Sequence, residues 1–349
     1  MNKNNANTGS NHFISVIIPV YNGRETLGHC LKSVFESSYS NFECIVVDDD
    51  STDNTVGIAE SFNAEIIRLD KQRGAAYARN RGAEDAQGDI LLFIDADVTI
   101  YPDSLAKVST AFEKYPDISA LFGSYDDQPG STNFVSQYKN LFHHYIHQTS
   151  KEDASTFWSG CGAVKTDVFN KVGGFDENKY SMPCIEDIEL GYRMKRIGCR
   201  ILLYKDLQVK HLKRYSFFSL LKSDLFDRAI PWTTMMLGNK QIAKDLNLKP
   251  EHKLSAGILI LIIFFMFMTM KSIWFALAVP ALLAIFFLMN YDFYRFFLNT
   301  KGRDFTLKVI PLHFLYYFYS TLGFFVGYCN SLYFNHFQKM RKLVSKKRI

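Results

Sequence analysis

Asp89-Ile90-Leu91-Leu92-Phe93-Ile94-Asp95-Ala96-Asp97-Val98 is an apolar run that ends in two carboxylates one residue apart. Gly88 precedes it and Tyr101-Pro102 follows, so the run reads as a short strand buried on both faces. A carboxylate is costly to bury unless it is paired or holds a metal, so a strand running straight into Asp95 and Asp97 delivers them to a site. In open α/β sheets that site is the crevice beyond the carboxyl ends of the strands. Taken alone, an Asp-x-Asp has a plainer reading, in which Asp97 caps the turn at Tyr101-Pro102 and Asp95 faces solvent. The neighbouring segments decide between the two.

Upstream, Ser15 to Val20 is a β-branched run closed by Tyr21-Asn22-Gly23 and opens the fold as its first strand. Leu27, Cys30, Leu31, Val34 and Phe35 then recur at helical spacing between Glu25 and Ser37. Asn41 to Val47 is a second strand, and it too runs into acid: Asp48-Asp49-Asp50-Ser51-Thr52-Asp53. Ser51 or Asp53 can cap a helix over Thr55 to Phe62, which accounts for one or two of these acids but not for three in succession, so the others are expected to touch a ligand. Glu65 to Leu69 is a third strand. Arg73 to Gly82 is a small-residue helix carrying Arg73, Arg79 and Arg81, where small side chains permit close approach and arginine suits phosphate. Strands alternating with helices in this way form a Rossmann-like half with parallel connections, here without a G-x-G-x-x-G or a P-loop.

The 349 residues are 48% hydrophobic and 15% aromatic, enough to fill a core. The acids lie mostly before residue 250, whereas 254 to 334 is nearly free of them and rich in Phe, Leu, Ile and Tyr, so a soluble domain precedes a membrane domain. Net charge is only +5, with six basic residues (Lys339, Arg341, Lys342, Lys346, Lys347, Arg348) near the end. They suit an anionic lipid surface; no aromatic-interleaved basic groove points to nucleic acid. The six cysteines show no CxxC spacing and read as free thiols. Met1 to His12 is polar with no apolar h-region, so the first domain is expected to stay in the cytoplasm.

Four motifs in order, Ile18-Pro19-Val20-Tyr21-Asn22, Val46 to Asp53, Ala78-Arg79-Asn80-Arg81-Gly82 and Asp95-Ala96-Asp97, resemble those of the family 2 glycosyltransferases of the GT-A fold. The resemblance continues through Phe157 to Val164, through Val172-Gly173-Gly174-Phe175-Asp176-Glu177, and through Ile185-Glu186-Asp187-Ile188-Glu189, reaching about His211. It implies an α/β GT-A catalytic domain with a Rossmann-like mixed, mostly parallel sheet, followed here by an all-α membrane domain. It implies an inverting transfer from a nucleotide-sugar donor. Pro19, Tyr21, Asn22, Asp48 and Asp49 would then bind the nucleotide, Arg79 the diphosphate, and Asp95 and Ala96 the ribose side. Asp97 would hold Mg²⁺ or Mn²⁺, with Asp95 close to the ion and His211 as a third ligand. Trp158, Gly160, Gly162 and Glu186 would line the acceptor and sugar pocket, and Asp187 would be the general base. A hard cation on the two phosphates suits this chemistry, because the leaving nucleoside diphosphate gains negative charge as the glycosidic bond breaks. Two positions depart from the family: Asp50 where a small residue is usual, and Gly23 where many members carry an acid. Arg228-Ala229-Ile230-Pro231-Trp232 does not reproduce the QxxRW of processive members, which disfavours polymer synthesis.

Without the family, Glu186, Asp187 and Glu189 are also the acidic first turn of a helix whose apolar face is Ile188, Leu190 and Met194; both roles are compatible. The expected boundaries are a tail at 1–12, the GT-A domain at 13–213, an interfacial helix and linker at 214–253, membrane segments at 254–334 and a basic tail at 335–349. In the interfacial helix Phe217, Phe218, Leu221 and Leu225 fall on one face, and Lys222, Asp224 and Arg228 on the others. The apolar runs 254–270 and 272–290, separated by Lys271, read as a helical hairpin, and 310–334 as a third segment that either spans or lies in the interface. The positive-inside rule favours the second choice for it. The implied enzyme is multi-pass in the inner membrane, its catalytic domain cytoplasmic, its partners a nucleotide sugar, membrane lipids and the hydroxyl of a lipid-linked or membrane-associated acceptor. A polyprenyl-phosphate acceptor needs no base, so the Glu186-Asp187 pair argues against that alternative, and the retained acids argue against a non-catalytic scaffold.

Overall fold

The opening β-branched run forms β1 (Ile14–Val20), and all seven of its residues are buried, as a strand covered on both faces requires. The computed structural model describes residues 12–239 and 249–346, with side chains for 12–238 and 249–333. The polar N-terminal tail, part of the linker and the side chains of the basic tail lie outside the described residues. The chain forms two units, Met1–Thr132 with His147–Arg214, and Asn133–Ile146 with Tyr215–Ile349.

In the first unit β1 is followed by α1 (Leu27–Phe35), β2 (Phe42–Asp48), α2 (Thr55–Ala59), β3 (Glu65–Arg68), α3 (Ala75–Asp85), β4 (Ile90–Ile94), β5 (Val98–Ile100), α4 (Ser104–Lys114) and β6 (Ile118–Tyr125). After α5 (Phe134–Thr149) come β7 (Asp153–Ala154), β8 (Cys161–Lys165), α6 (Thr166–Val172), α7 (Glu186–Arg196) and β9 (Arg200–His211). The sheet order is β3-β2-β1-β4-β8-β6-β9-β5, with β7 beside β9. β1 to β4 are mutually parallel, β8 opposes both β4 and β6, and β9 is parallel to β6. The sheet is therefore mixed and mostly parallel, and β1 to β4 form the parallel half expected from the alternation of strands and helices. No disulfide joins any of the six cysteines, all of which lie among the described residues.

Two expected elements are shorter. The helix expected to reach Phe62 ends at Ala59, because Ser61 and Phe62 donate to carbonyls three residues back and tighten the last turn. Of the expected strand Phe157 to Val164 only the end pairs, as β8; Phe157 to Gly160 is a loop. The small-residue reading of α3 holds. A Cβ on Gly82 would lie 2.6 Å from Ile17 Cγ2 and 3.0 Å from Val47 Cγ2, so this helix packs directly onto β1 and β2. Gly82→Val is expected to lower unfolding free energy by about 1–3 kcal/mol through overpacking, read from denaturant midpoints; an unchanged midpoint refutes that packing account.

Residues 133–146, expected inside the catalytic domain, belong to the second unit. Their aromatic side chains explain it: Phe134 packs on Phe305 (ring centroids 4.9 Å apart), Tyr138 on Phe297 (6.0 Å) and Phe142 on Phe293 (5.4 Å). The unit continues with α8 (Phe217–Asp224), a π-helical turn (Leu225–Ala229), α9 (Ile230–Asn239), α10 (Pro250–Met268), α11 (Ala278–Met289), α12 (Tyr291–Lys301) and α13 (Arg303–Lys346). Pro231 has no N–H to donate into the preceding turn, which suits the wider helical turn before it. Phe218 and Phe226 are exposed, as an interfacial helix needs, but Asp224 is not on the polar face. It is buried, ion-paired with Lys139 and accepting from Tyr319 Oη at 2.6 Å. Asp224→Ala leaves a buried ammonium without its carboxylate, so a loss of about 3–5 kcal/mol is expected. Thermal unfolding in detergent checks it, and a midpoint like that of the parent would refute the buried-pair account.

Among the described residues two helices, α10 and the Arg303–Tyr333 part of α13, are long and apolar enough to cross a membrane. A bend falls at the end of the second apolar run, where α11 and α12 meet at 63°. Asn290 sits at that corner. Its Nδ2 donates to Phe286 O (2.8 Å) and Ser255 Oγ (3.0 Å), and its Oδ1 accepts from Tyr317 Oη (3.1 Å), so the corner's polar groups are satisfied by neighbouring helices.

Candidate active site

The carboxyl ends of β1, β2 and β4 meet at the crevice, and their loops are tied to one another. Asn22 N donates to Ser51 Oγ (2.8 Å), Thr52 N to Asn22 Oδ1 (2.8 Å), Gly23 N to Thr55 Oγ1 (2.8 Å) and Arg24 N to Asp53 Oδ2 (3.3 Å). Asp53 Oδ1 also accepts from Thr55 N (3.0 Å), but the N-cap position of α2 is Asn54 and no side chain caps the helix, so neither Ser51 nor Asp53 is the cap expected. Asn22 (φ 52°) and Asp50 (φ 65°) adopt the left-handed conformation, which short polar side chains tolerate best after glycine. That accounts for Asp50 in a position where the family prefers a small residue.

Three residues expected to contact the nucleotide are buried. Pro19 is buried within β1 opposite Val47, and the exposed Tyr21 and Asn22 line the crevice at this strand end. Asp48 and Asp49, expected to read base or ribose, are each only 4% exposed. Ser51 N donates to both oxygens of Asp48, and Asp49 accepts from Arg73 N (2.7 Å) and Gly74 N (2.8 Å), fixing the entry to α3. Burial pushes the Asp49 carboxyl above its ordinary range despite these two amides.

Asp95, Ala96 and Asp97 form the turn between β4 and β5. β5 pairs with β9 so that Val98 lies opposite His211, and Leu212 N donates to Asp97 O at 2.8 Å. The antiparallel pairing thereby carries His211 to Asp97, with Nε2 and Oδ2 3.7 Å apart. Burial would raise the Asp97 carboxyl, but His211 and then Lys213 outweigh it and hold it below the usual range. Tyr125 stacks on His211 at 4.3 Å, and Trp158 meets Tyr125 edge-on at 4.9 Å, so the imidazole is wedged in place. A distance of 3.7 Å is one that a single ion can bridge, each ligand atom lying about 2.0–2.2 Å from it. Among the described residues no three His, Cys, Asp or Glu side chains are grouped as a metal cage. The donor set fits Mg²⁺ or Mn²⁺ shared with phosphate oxygens, the usual habit of these ions beside a nucleotide.

On the other side of the crevice the loop before β8 and the start of α7 hold Glu186 and Asp187. A Cβ on Gly160 would lie 2.5 Å from the Trp158 ring, so only glycine lets the indole fold over the loop; Gly162 follows in β8. Ser159 donates to Asp187 Oδ2 from its N (3.1 Å) and Oγ (3.4 Å), and Ile188 N donates to Oδ1 (2.7 Å). Asp187 is half-buried, whereas Glu186 is 4% exposed and accepts from Cys184 N at 2.7 Å. Arg79, expected against the diphosphate, is buried instead, its Nη2 2.8 Å from Asp95 Oδ1 and its Nη1 2.9 Å from Glu186 Oε1. Sequence reasoning assigned no role to Ser159, Tyr125 or Lys213. Ser159 lies inside a motif already singled out, while Tyr125 ends a strand with no distinguishing pattern.

Residues 15–173 match the family model described as Glycosyl transferase family 2. They are a family 2 glycosyl transferase domain. Two relatives share sequence with it over about a hundred residues. Glycosyltransferase AglE of Haloferax volcanii is 43% identical over 106 residues, 28% of this chain and 35% of AglE. WfgD of Escherichia coli, a UDP-Glc:alpha-D-GlcNAc-diphosphoundecaprenol beta-1,3-glucosyltransferase, is 32% identical over 118 residues, 33% of this chain and 46% of WfgD. The chain thus spans less than half the length of the curated relatives it matches. The mannosyltransferase PcManGT of Pyrobaculum calidifontis, solved with GDP-Man and Mn²⁺, shares the fold at a TM-score of 0.54, with 16% identity over 92% of this chain and 87% of that one. The glycosyltransferase domain therefore has the GT-A architecture, followed by apolar helices.

Proposed function

We propose that this chain is a membrane-anchored inverting glycosyltransferase that moves a sugar from a nucleotide-sugar donor to a hydroxyl of a lipid-linked or membrane-associated acceptor. The observation that carries the reading is the convergence on one crevice of Asp95 and Asp97 from β4 with Asp187 from α7. Tyr21, Asn22 and the Asp95–Asp97 turn would frame the nucleotide. Asp97 and His211, with Asp95 nearby, would hold a divalent cation; when bound, that ion neutralises the charge developing on the departing diphosphate. Asp187, fixed by Ser159 and Ile188, would take the proton of the acceptor hydroxyl, and Trp158 with Glu186 would shape the pocket around it. WfgD, by its name, glucosylates a diphosphoundecaprenol-linked sugar, an acceptor of the class proposed here. A polyprenyl phosphate remains the alternative acceptor, and substitution of Asp187 separates the two. Incubation of the purified chain with UDP- and GDP-sugars and extracted lipids tests the activity, and absence of any transferred sugar would refute it.

The anchoring rests on α10 and α13, with the bent α11–α12 pair as a broken span or re-entrant element. Two full crossings would return the basic C-terminus to the side of the catalytic domain, in keeping with the positive-inside rule and a cytoplasmic active site. The intact chain is expected to resist extraction by carbonate and by high salt, the basic tail adding only a salt-sensitive part. Its full release by either treatment would sink the membrane assignment.

A further inference from the structure

We propose that Arg79 is a positioning residue that locks the donor-side and acceptor-side acids into one frame, and that it does not touch the diphosphate. Resting on the transfer reading above, the argument begins with three elements far apart in sequence. Arg79 stands on α3, Asp95 in the turn after β4, and Glu186 at the first position of α7. The guanidinium bonds Asp95 through one terminal nitrogen (2.8 Å) and Glu186 through the other (2.9 Å), and its face lies 5.4 Å from the Phe175 ring centroid. Its side chain is 5% exposed, so the fork has one arrangement and no open path into the crevice. Arginine suits this place because its two terminal nitrogens are held in one rigid plane, whereas a lysine offers a single point charge.

The consequence is geometric. Asp95 is two residues from Asp97, and Glu186 is next to Asp187, so a fixed Asp95–Arg79–Glu186 bridge sets the distance between the proposed cation site and the proposed base. A second tether runs beside it: Asp95 N donates to Gly160 O (3.3 Å), and the adjacent Ser159 donates to Asp187. One cation between two carboxylates also relieves the repulsion that Asp95 and Glu186 would otherwise add to Asp97 and Asp187. A residue that positions the reacting groups acts on turnover, because displacement by 1 Å costs about 10²-fold. A residue that contacts the diphosphate acts on donor affinity.

Arg79→Lys and Glu186→Gln in the full-length chain in detergent separate these roles, the second keeping the size and an acceptor oxygen of the side chain should the first fold poorly. Both are expected to bind UDP or GDP with Mn²⁺ at near parental affinity while turnover falls about 10²-fold. In hydrogen exchange, the amides of Ser159 and of the first turn of α7 should exchange faster, with the β1 and β2 amides unchanged. The exchange result decides the bridge whether or not a donor is identified, and a parent chain that transfers no sugar counts against the transfer reading alone. Parental exchange at Ser159 and α7 in both variants would overturn the proposal. So would a tenfold or greater loss of nucleotide affinity at unchanged turnover, which would return Arg79 to the diphosphate.

Discussion

Asp187→Asn is expected to abolish transfer while leaving nucleotide and cation binding intact. A hydroxyl must lose its proton as it attacks the anomeric carbon, and a positioned carboxylate that accepts it contributes about 10²–10⁴-fold. Asparagine keeps the size of the side chain and one acceptor oxygen, so one of the two bonds, from Ser159 N (3.1 Å) or from Ile188 N (2.7 Å), keeps a counterpart, but the basicity is gone. The proposed donor side, Tyr21, Asn22, Asp95 and Asp97, lies on other elements of the chain. Single-turnover transfer measured beside calorimetric nucleotide affinity gives both halves of the expectation. A variant transferring sugar at close to the parental rate would remove Asp187 as base and favour a polyprenyl-phosphate acceptor, which is already anionic. A variant that loses nucleotide affinity together with transfer would show Asp187 to be part of the donor site.

The strands of the first half and their acidic ends were legible because both follow from local pattern. Ile90 to Ile94 is a continuous apolar run that stops at an acid, and a period-two or all-apolar strand followed by Asp can be recognised within ten residues. The partners of those acids could not be read the same way. Asp49 is held by the amides of Arg73 and Gly74, and Arg79 by carboxylates 16 and 107 residues away, so side chains that look like ligand contacts in sequence also tie distant segments together. The pairing of β5 with β9, which faces His211 toward Asp97, is a three-residue ladder with no propensity signal of its own. In the apolar region, hydropathy found the segments but not the corner at Asn290, since one asparagine barely lowers a window average while its side chain caps a helix and binds two others. Asp224 misled for a related reason: a charge on an amphipathic helix reads as exposed unless its partner is known, and Lys139 lies 85 residues earlier.

The second large effect belongs to Asp97. Asp97→Ala is expected to remove the Mn²⁺-dependent part of UDP or GDP binding and to suppress transfer, with little change in folding stability. The ion's stabilisation of developing charge is worth several kcal/mol, which corresponds to a loss of about 10³-fold in rate. Stability should hold because the backbone of Asp97, whose carbonyl accepts from Leu212 N, is unaffected, and because His211 keeps its stacking on Tyr125. His211→Ala removes one nitrogen donor and leaves the carboxylate, so its loss of cation affinity should be the smaller of the two. Calorimetric titration of each variant with UDP and GDP, with and without Mn²⁺, measures the increment the ion adds. If Asp97→Ala shows the same increment as the parent chain, the ion is held elsewhere, and the acids at the end of β4 serve the turn and not the metal.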